Sequence, residues 1–401
     1  MKTYIKKIGI ISCIAFALAV VAGLLIPEFC KSISVVGTVY VNLLKIMIVP
    51  VIFTGITSAM ARDSENVSGI TATTILVFVG MFVVSFLLCC GLWALLQPGR
   101  GVALEEVVWD GEISTLSFGD FLVSLFPANI LTAMEGNAIL PVIIFAFAFG
   151  IAIRQCRLEK LRDVMNELDT AFGKMLSYVM VLTPLGVFAL MSNTVATYGS
   201  KILGTAAVYI GSAYLGCLVI MLLVMILPVW IYCGVNPVAY IQRAYKVWVL
   251  TLTTCSSAAT LPTTIRVCNE EFGVPEKITK IVVPLGCTIH MCGGAVSFSL
   301  LAMFNMQMMG IPMTFGLMMI MLLSALLLNM GAPGLPGGGI VLGATYLSLL
   351  GIPLTFIGFY AGIYRLLDMA YTTMNVCGDI TANVLINKIV DGGKLPEEKQ
   401  T

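Results

Sequence analysis

The chain contains a single histidine, His290, in a glycine-rich segment that interrupts a long apolar region. Segment 283–296 reads Val-Pro-Leu-Gly-Cys-Thr-Ile-His-Met-Cys-Gly-Gly-Ala-Val. The neighbours of the histidine that could take part in chemistry are Cys287, Thr288, Met291 and Cys292. Polar groups in nonpolar surroundings are costly without partners, so this segment is the first candidate for a site. Three interpretations of His290 stay open: a neutral structural imidazole, a proton-sharing partner of Asp379, or a soft-metal ligand with the two cysteines.

A second polar set lies on the last apolar segment of the chain. At about 100° per residue of helix, Asn375 and Asp379 fall within about 20° of Asp368, and Thr372 lies on the same side. Asp368 either pairs with Arg365, one turn earlier, or anchors a substrate cation such as an α-amino group. We favour the anchor, because intramembrane carboxylates usually serve function. Asp379 has no cationic neighbour within a turn, so it needs a metal cation, a proton or a distant residue.

Two further apolar segments are interrupted by small residues and proline. Segment 247–268 is broken at 255–262, and segment 313–350 is broken by the glycine-rich stretch 331–339. Each arm is too short to cross a bilayer, which takes about 20 residues, so both segments predict re-entrant hairpins. Backbone N–H groups at such tips suit a carboxylate, and Ser256 and Ser257 add hydroxyls. Close helix packing by small residues is the alternative, but it explains two such breaks poorly.

The composition defines the class of protein. Of 401 residues, 59% are hydrophobic and only 11% are charged, whereas a soluble protein carries about a quarter charged residues. We therefore predict an all-α polytopic membrane protein, with no nucleic-acid partner. The sequence lacks serine-hydrolase, phosphate-loop and metalloprotease motifs, so we expect neither an enzyme nor a cofactor. The 12 cysteines are expected to be buried hydrophobic residues rather than a disulfide framework.

Charged residues indicate the orientation of the spans. The predicted spans are 8–26, 33–60, 67–96, 121–153, 172–196, 202–233 and 356–390, besides the hairpins and the His290 segment. Basic residues cluster at 154–162 and at the N-terminus, where an uncleaved first span is preferred over a signal peptide. Both termini are therefore predicted to be cytoplasmic, and the acidic segment 102–120 to be an outside loop.

The chain resembles the dicarboxylate/amino acid:cation symporters, which include archaeal aspartate transporters, excitatory glutamate transporters and neutral amino-acid exchangers. The resemblance runs almost end to end. The matching stretches are 44–61 (second helix), 131–150 (fourth helix, with Met-Glu-Gly-Asn at 134–137), 256–262 (first hairpin tip), 334–339 (second hairpin tip) and 368–379 (eighth helix).

The resemblance implies eight transmembrane helices plus two re-entrant hairpins, in an elevator-type homotrimer of the plasma (bacterial inner) membrane. Residues 1–66 and 121–200 would form a static scaffold of helices one, two, four and five. A moving transport domain would comprise helix three with the outside loop, 67–120, and helices six to eight with both hairpins, 201–390. Residues 391–401 would form a charged cytoplasmic tail.

The resemblance also assigns roles to residues of the site. Asp368 would bind the substrate amino group, Asn375 and the backbone at Ser256 and Ser257 the α-carboxylate, and Thr372 would lie beside them. The second hairpin, around Gly339, would close as a gate.

The substrate prediction follows from two departures from the family pattern. Members specific for acidic substrates carry an arginine where this chain has Tyr371 or, in other members, Cys255. We therefore predict import of a neutral amino acid that contacts Tyr371, coupled to Na⁺, H⁺ or both. The alternative is an acidic amino acid or dicarboxylate held by Arg365. A channel-like or sensory derivative is a more remote alternative.

The expected cation sites depart as well. The family signature Asn-Met-Asp-Gly-Thr here reads His-Met-Cys-Gly-Gly at 290–294, and Met81 and Phe82 replace third-helix hydroxyls. One sodium site should therefore be absent. A second retains Asp379 and the carbonyls of Gly286 and Asn375, and a third retains Thr288 and Met291 but has Ala332 for a hydroxyl residue. Either one or two sodium ions drive uptake, or a proton shared by His290 and Asp379 does.

Overall fold

The chain folds into helices of widely different length. The computed structural model describes residues 2–61, 68–102, 118–136, 138–330, 337–353 and 356–391. Within these ranges there is no strand, which confirms the all-α prediction. The helices are α1 Lys2–Leu25, α2 Pro27–Ser32, α3 Ser34–Ala61, α4 Ser68–Leu96, α5 Phe118–Ser124, α6 Ile130–Glu135, α7 Ile139–Gln155, α8 Glu159–Val181, α9 Thr183–Tyr198, α10 Lys201–Ile220, α11 Leu227–Cys233, α12 Pro237–Thr254, α13 Ser257–Arg266, α14 Glu276–Ile289, α15 Cys292–Met308, α16 Phe315–Met330, α17 Gly338–Leu349 and α18 Ile357–Asp391, with π-helical segments Met221–Ile226 and Val267–Glu271.

Several of these helices are long and apolar enough to cross a membrane. In the described part of the chain they are Pro27–Ala61, Ile70–Leu96, Ile202–Cys233 and Glu276–Met308, and the bent pair α8–α9 makes a fifth candidate. Large apolar side chains such as Leu76, Leu95 and Phe315 are exposed on the outside. Exposed apolar surface of this extent suits lipid rather than water. The chain is therefore an integral membrane protein, while the count of eight transmembrane helices remains a prediction.

Helix boundaries confirm most of the predicted breaks and correct one of them. The fourth predicted span divides into α5, α6 and α7, with interruptions after Ser124 and Glu135. The predicted spans 121–153 and 172–196 leave residues 154–171 between two helices. Instead α7 ends at Gln155 and α8 begins at Glu159, so most of that stretch forms the amphipathic first half of α8. The break falls at Cys156–Leu158 because Arg157 has a positive φ of 53°, a conformation that ends helices.

Both predicted hairpins have two helical arms that pack against each other. The first consists of α12 and α13, which pack together and meet at Cys255 and Ser256. Its first arm begins at Pro237, ten residues before the predicted start at 247. The second consists of α16 and α17, and its tip, including the predicted residues Ala332 and Gly334, lies outside the described residues. The predicted acidic loop likewise lies largely outside them.

Two groups of helices pack around different centres. In one group, α3 packs against α7, α8 and α9, and α1 packs against α9. In the other, α18 is the central helix and contacts α10, α12, α14, α15 and α17, while α4 packs on α15. Several contacts join the groups, among them α9 with α18, α7 with α16 and α3 with α17. The division into scaffold and transport domains, and any movement between them, remain predictions.

Candidate functional site

The polar stripe predicted on the last helix lies on the buried side of α18. Asp368, Thr372, Asn375 and Asp379 are all less than a tenth exposed. Helix α18 is surrounded by other helices, so polar side chains on its buried side must find partners there. The stripe lies against both hairpins and against the break between α14 and α15.

Asp368 takes its hydrogen bonds from neutral donors. Its Oδ2 accepts from the backbone N–H of Gly337 at 3.1 Å, at the start of α17. Its Oδ1 accepts from the hydroxyl of Thr372 at 3.2 Å and from that of Tyr364 at 3.4 Å. The alternative in which Asp368 pairs with Arg365 does not occur: Arg365 Nη2 instead donates to the Thr253 carbonyl at 2.9 Å. Asp368 is therefore a buried anion without a counter-cation in hydrogen-bond range among the described residues.

The first hairpin tip owes its shape to two residues of different conformation. Cys255 ends α12 in the left-handed region, with φ of 49° and ψ of 40°. Ser256 is extended and caps α13, because its hydroxyl accepts from the Ala259 N–H at 3.2 Å. The Ser256 hydroxyl is thus occupied as a helix cap. Ser257, at the first turn of α13, faces the cavity together with Cys255.

A cavity of about 60 Å³ lies between the two hairpins and α18, large enough for several water molecules at about 10–15 Å³ each. The predicted site residues that line it are Ser257, Met291, Gly339, Asp368, Tyr371, Thr372 and Asn375. The Tyr371 hydroxyl is buried and has no hydrogen-bond partner among the described residues. Of the lining residues, Asp368 alone is charged, so the cavity presents one carboxylate, several hydroxyls and the amides of Asn329 and Asn375.

The break between α14 and α15 places His290 beside Asp379. Helix α14 ends where His290 becomes extended, with φ of −121° and ψ of 102°. The imidazole Nδ1 lies 3.0 Å from Asp379 Oδ1, and Nε2 lies 3.1 Å from Cys292 Sγ. Phe78 of α4 stacks on the ring at 4.3 Å between centroids. A soft-metal site is not formed, since within the described chain no group of three or more His, Cys, Asp or Glu side chains could hold a metal ion.

The remaining predicted cation-site residues do not all face one common site. Asn375 Oδ1 accepts from the Gly293 N–H at 2.8 Å and so connects α18 to the start of α15. Gly286 lies against Asp379, and any side chain there would overlap the carboxylate. The Thr288 hydroxyl donates to the carbonyl of Leu285 in its own helix at 2.8 Å, so it is already occupied within α14. Cys377 accepts from Trp248 Nε1 at 2.9 Å and thereby joins α18 to α12.

Three residues of the site had no sequence signal strong enough to single them out. Phe78 is one of many aromatic residues in apolar spans, and Tyr364 is one of 13 tyrosines. Asn329 lies near the end of α16 and can bond the backbone of Met291 at 2.9 and 3.1 Å, with its amide nitrogen facing the carbonyl. For Asn329, the available signal in the sequence was a lone asparagine within an apolar run. These contacts join α4 and the second hairpin to the site.

Comparison with known proteins covers nearly the whole chain. The family model described as "Sodium:dicarboxylate symporter family" matches residues 10–389. The chain is 29% identical over 372 residues to the proton/glutamate-aspartate symporter of Escherichia coli (strain K12), covering 89% of this chain and 85% of that protein. It is 27% identical to a C4-dicarboxylate transport protein of Deinococcus radiodurans, with 93% and 87% covered. It is also 27% identical to the proton/sodium-glutamate symport protein of Geobacillus stearothermophilus, with 93% and 91% covered.

Proposed function

Since the chain belongs to the sodium:dicarboxylate symporter family, we propose that it imports an acidic amino acid together with a cation. The names of its relatives support acidic substrates, glutamate and aspartate or C4-dicarboxylates. They do not support the neutral amino acid predicted from Tyr371 and Cys255. The sequence alternative, in which Arg365 takes the place of the family arginine, is therefore the better one.

The position of Arg365 is the observation that carries this proposal. Its side chain is 7% exposed, and its Nη2 donates to Thr253, two residues before the cavity-lining Cys255. Its Nε is buried without a partner among the described residues. An orphaned donor on a guanidinium is costly, and a carboxylate is its best acceptor. Arg365 thus brings from α18 the guanidinium that some family members supply from the first hairpin tip.

Asp368 in the cavity lining, together with Arg365 beyond Cys255, would select an amino acid over a plain dicarboxylate. In the proposed pose, the substrate ammonium meets Asp368 and its α-carboxylate meets Asn375 and the backbone at Ser257. The side-chain carboxylate extends towards Cys255 and Arg365. A C4-dicarboxylate would place a second carboxylate near Asp368, where like charges repel.

Uptake into vesicles that contain purified protein tests this assignment. We expect labelled aspartate or glutamate to accumulate and to be displaced weakly by alanine, serine or succinate. Arg365→Met should raise KM for aspartate by on the order of 10–100-fold, because it removes charge-assisted hydrogen bonds of about 1.5–3 kcal/mol. Arg100→Met, at an exposed arginine, is the matched control. Accumulation of alanine or serine in preference to aspartate would contradict the proposal.

We also infer a homotrimer that works by an elevator movement, with both termini on the cytoplasmic side. Support comes from family membership and from the two helix groups, which pack around α3 and α18. The mass of the purified complex, corrected for detergent, should be about three times the chain mass of 43.0 kDa. A corrected mass equal to one chain would contradict the trimer.

A further inference from the structure

The carboxylate of Asp379 is the most deeply buried charge-bearing group of the site. It is 2% exposed, and burial of an unpaired carboxylate costs several kcal/mol. A carboxylate only accepts hydrogen bonds, so the His290 tautomer that carries a proton on Nδ1 is the one that satisfies it. The 3.0 Å distance between the two atoms is that of a good hydrogen bond. Asp379 therefore has a partner from within the chain.

The surroundings are shaped for the imidazole ring. Phe78 lies parallel to it, with an angle of 5° between the planes. A side chain at Gly378 would put its Cβ 2.8 Å from His290 Cε1 and 3.2 Å from Cys292 Sγ, which is closer than atoms tolerate. Only glycine at this position leaves room for the ring. Three helices, α4, α15 and α18, thus contribute residues that enclose it.

The same geometry does not suit sodium at the predicted site of Gly286, Asn375 and Asp379. A hard cation prefers several oxygen ligands. Here Asn375 lies inside the unbroken helix α18, where backbone carbonyls accept from N–H groups of the next turn. The Gly286 carbonyl accepts from the His290 N–H at 2.9 Å. Asp379 Oδ1 is engaged by the imidazole. The imidazole is itself enclosed by the Phe78 ring and the Cys292 thiol, and neither group is an oxygen ligand for sodium.

We propose that the His290 imidazole replaces a sodium ion as the partner of Asp379, so that transport requires no sodium at this position. The inference rests on the proposed function for its meaning in transport, and goes beyond it because the family description names sodium. The binding claim itself concerns Asp379 alone and can be tested without a substrate.

Thermal unfolding of the purified protein in detergent gives that test. An ion that binds only the folded state raises the unfolding midpoint as its concentration increases. We expect equal midpoints for the wild type in sodium chloride and choline chloride of the same concentration and pH. The double variant His290→Asn/Cys292→Asp restores oxygen ligands, and we expect it to gain a saturable rise of about 2 °C or more in sodium.

The Asp379→Asn variant decides where any sodium effect arises. A saturable, sodium-specific rise in the wild type that Asp379→Asn abolishes would overturn the proposal. A rise that Asp379→Asn leaves intact places sodium elsewhere and agrees with it. These results need only folded wild type and Asp379→Asn, so misfolding of the double variant does not affect them.

A transport measurement separates this inference from the proposed function. Aspartate uptake should change less than twofold when choline replaces sodium on both sides of the vesicle membrane. No uptake of any acidic substrate, in either salt, would refute the proposed function and leave the binding result standing. Wild-type uptake that falls tenfold or more without sodium, together with a sodium-specific rise in the unfolding midpoint that Asp379→Asn abolishes, would overturn the inference.

Discussion

Asp368 and Asp379 are both buried carboxylates of α18, but their partners differ in kind. Asp368 accepts from a backbone amide and two hydroxyls, and these neutral donors leave its charge uncompensated. Asp379 faces an imidazole. Asp368 therefore remains available to a cationic group that enters the cavity, whereas Asp379 already has a hydrogen-bond partner in His290. Their roles follow from these partners rather than from the residue type.

Replacement of Asp368 should separate amino acids from dicarboxylates. Asp368→Asn keeps the shape but removes the charge that holds an ammonium group, so aspartate should lose affinity by on the order of 10–100-fold. Succinate has no ammonium group and should lose nothing, or gain from the reduced repulsion. Competition of both compounds against labelled aspartate or succinate measures this. Equal losses for the two substrates would contradict the assignment of Asp368 to the amino group.

Removal of the His290 imidazole should lower the stability of the protein, because it leaves the buried Asp379 carboxylate without a partner. His290→Ala is expected to lower the free energy of unfolding by about 3–5 kcal/mol, the usual cost of breaking a buried pair. It should also abolish concentrative uptake. Adding Asp379→Asn to His290→Ala should recover a large part of the stability, because the uncompensated charge is then gone. Denaturant unfolding in detergent measures the stability of the single and the double variant. Strictly additive losses would contradict a direct pair between His290 and Asp379.

Residue-level prediction succeeded where helix geometry alone was needed. The 100° rotation per residue placed Asp368, Asn375 and Asp379 on one side of α18, as the structure has them. Because Asp379 has no cationic neighbour within a turn, its pairing with His290 was one of the three interpretations of that histidine. Helix geometry alone could not find Phe78 or Asn329, because their importance arises only from the packing of α4 and α16 against the site. Arg365 was ambiguous for the same reason, since its partner lies in the first hairpin.

At the scale of elements, three helix interruptions converge on one cavity. They are the tip between α12 and α13, the break between α14 and α15, and the start of α17. Each supplies backbone groups that a continuous helix would have used internally. Sequence predicted all three from glycine, proline and small hydroxylated residues. The start of the first arm, at Pro237, was missed because its amphipathic first half does not look like a membrane segment.

The first tip contains a residue in a conformation that glycine would adopt more easily. Cys255 has φ of 49°, and the left-handed region costs a non-glycine residue about 1–2 kcal/mol. Cys255→Gly should therefore raise the free energy of unfolding by about 1 kcal/mol, if measured by denaturant unfolding. Cys255→Ala retains a Cβ and is the matched control, with no such gain. A destabilised glycine variant would show that the thiol contributes more than the conformation costs.

At the scale of the whole molecule, the contact between α9 and α18 is one of the places where the two helix groups meet. A Cβ at Gly362 would lie 3.2 Å from Met191 Cβ, so a small shift reaches the Cβ–Cβ range of a disulfide, about 3.5–4.5 Å. If the groups slide past each other, oxidation of the Met191→Cys/Gly362→Cys variant should stop uptake and reduction should restore it. The single cysteine variants control for oxidation of native thiols. Full uptake by the crosslinked protein would contradict an elevator movement across this contact.

The all-α fold class and the family could be predicted from the sequence, but not whether the two helix groups move relative to each other. Composition and hairpin signals are local properties, whereas relative movement depends on how strongly two packed groups hold each other. The names of the relatives favour an acidic substrate over the neutral one that was predicted first. That first prediction gave two positions without arginine more weight than Arg365. Its guanidinium reaches the first hairpin through the fold, and no spacing along the chain reveals that.

The bond between Asp368 and the Gly337 amide has a consequence for the direction of net flux. Because the start of α17 donates to this carboxylate, Asp368 keeps a hydrogen bond from the second hairpin when no substrate is bound. If that hairpin is the gate, the unloaded carrier would close over a carboxylate that is hydrogen-bonded although its charge is not compensated. Closure without substrate is the return step that a concentrating importer needs and that a strict one-for-one exchanger must avoid. Under the proposed function we therefore expect net accumulation rather than obligatory exchange.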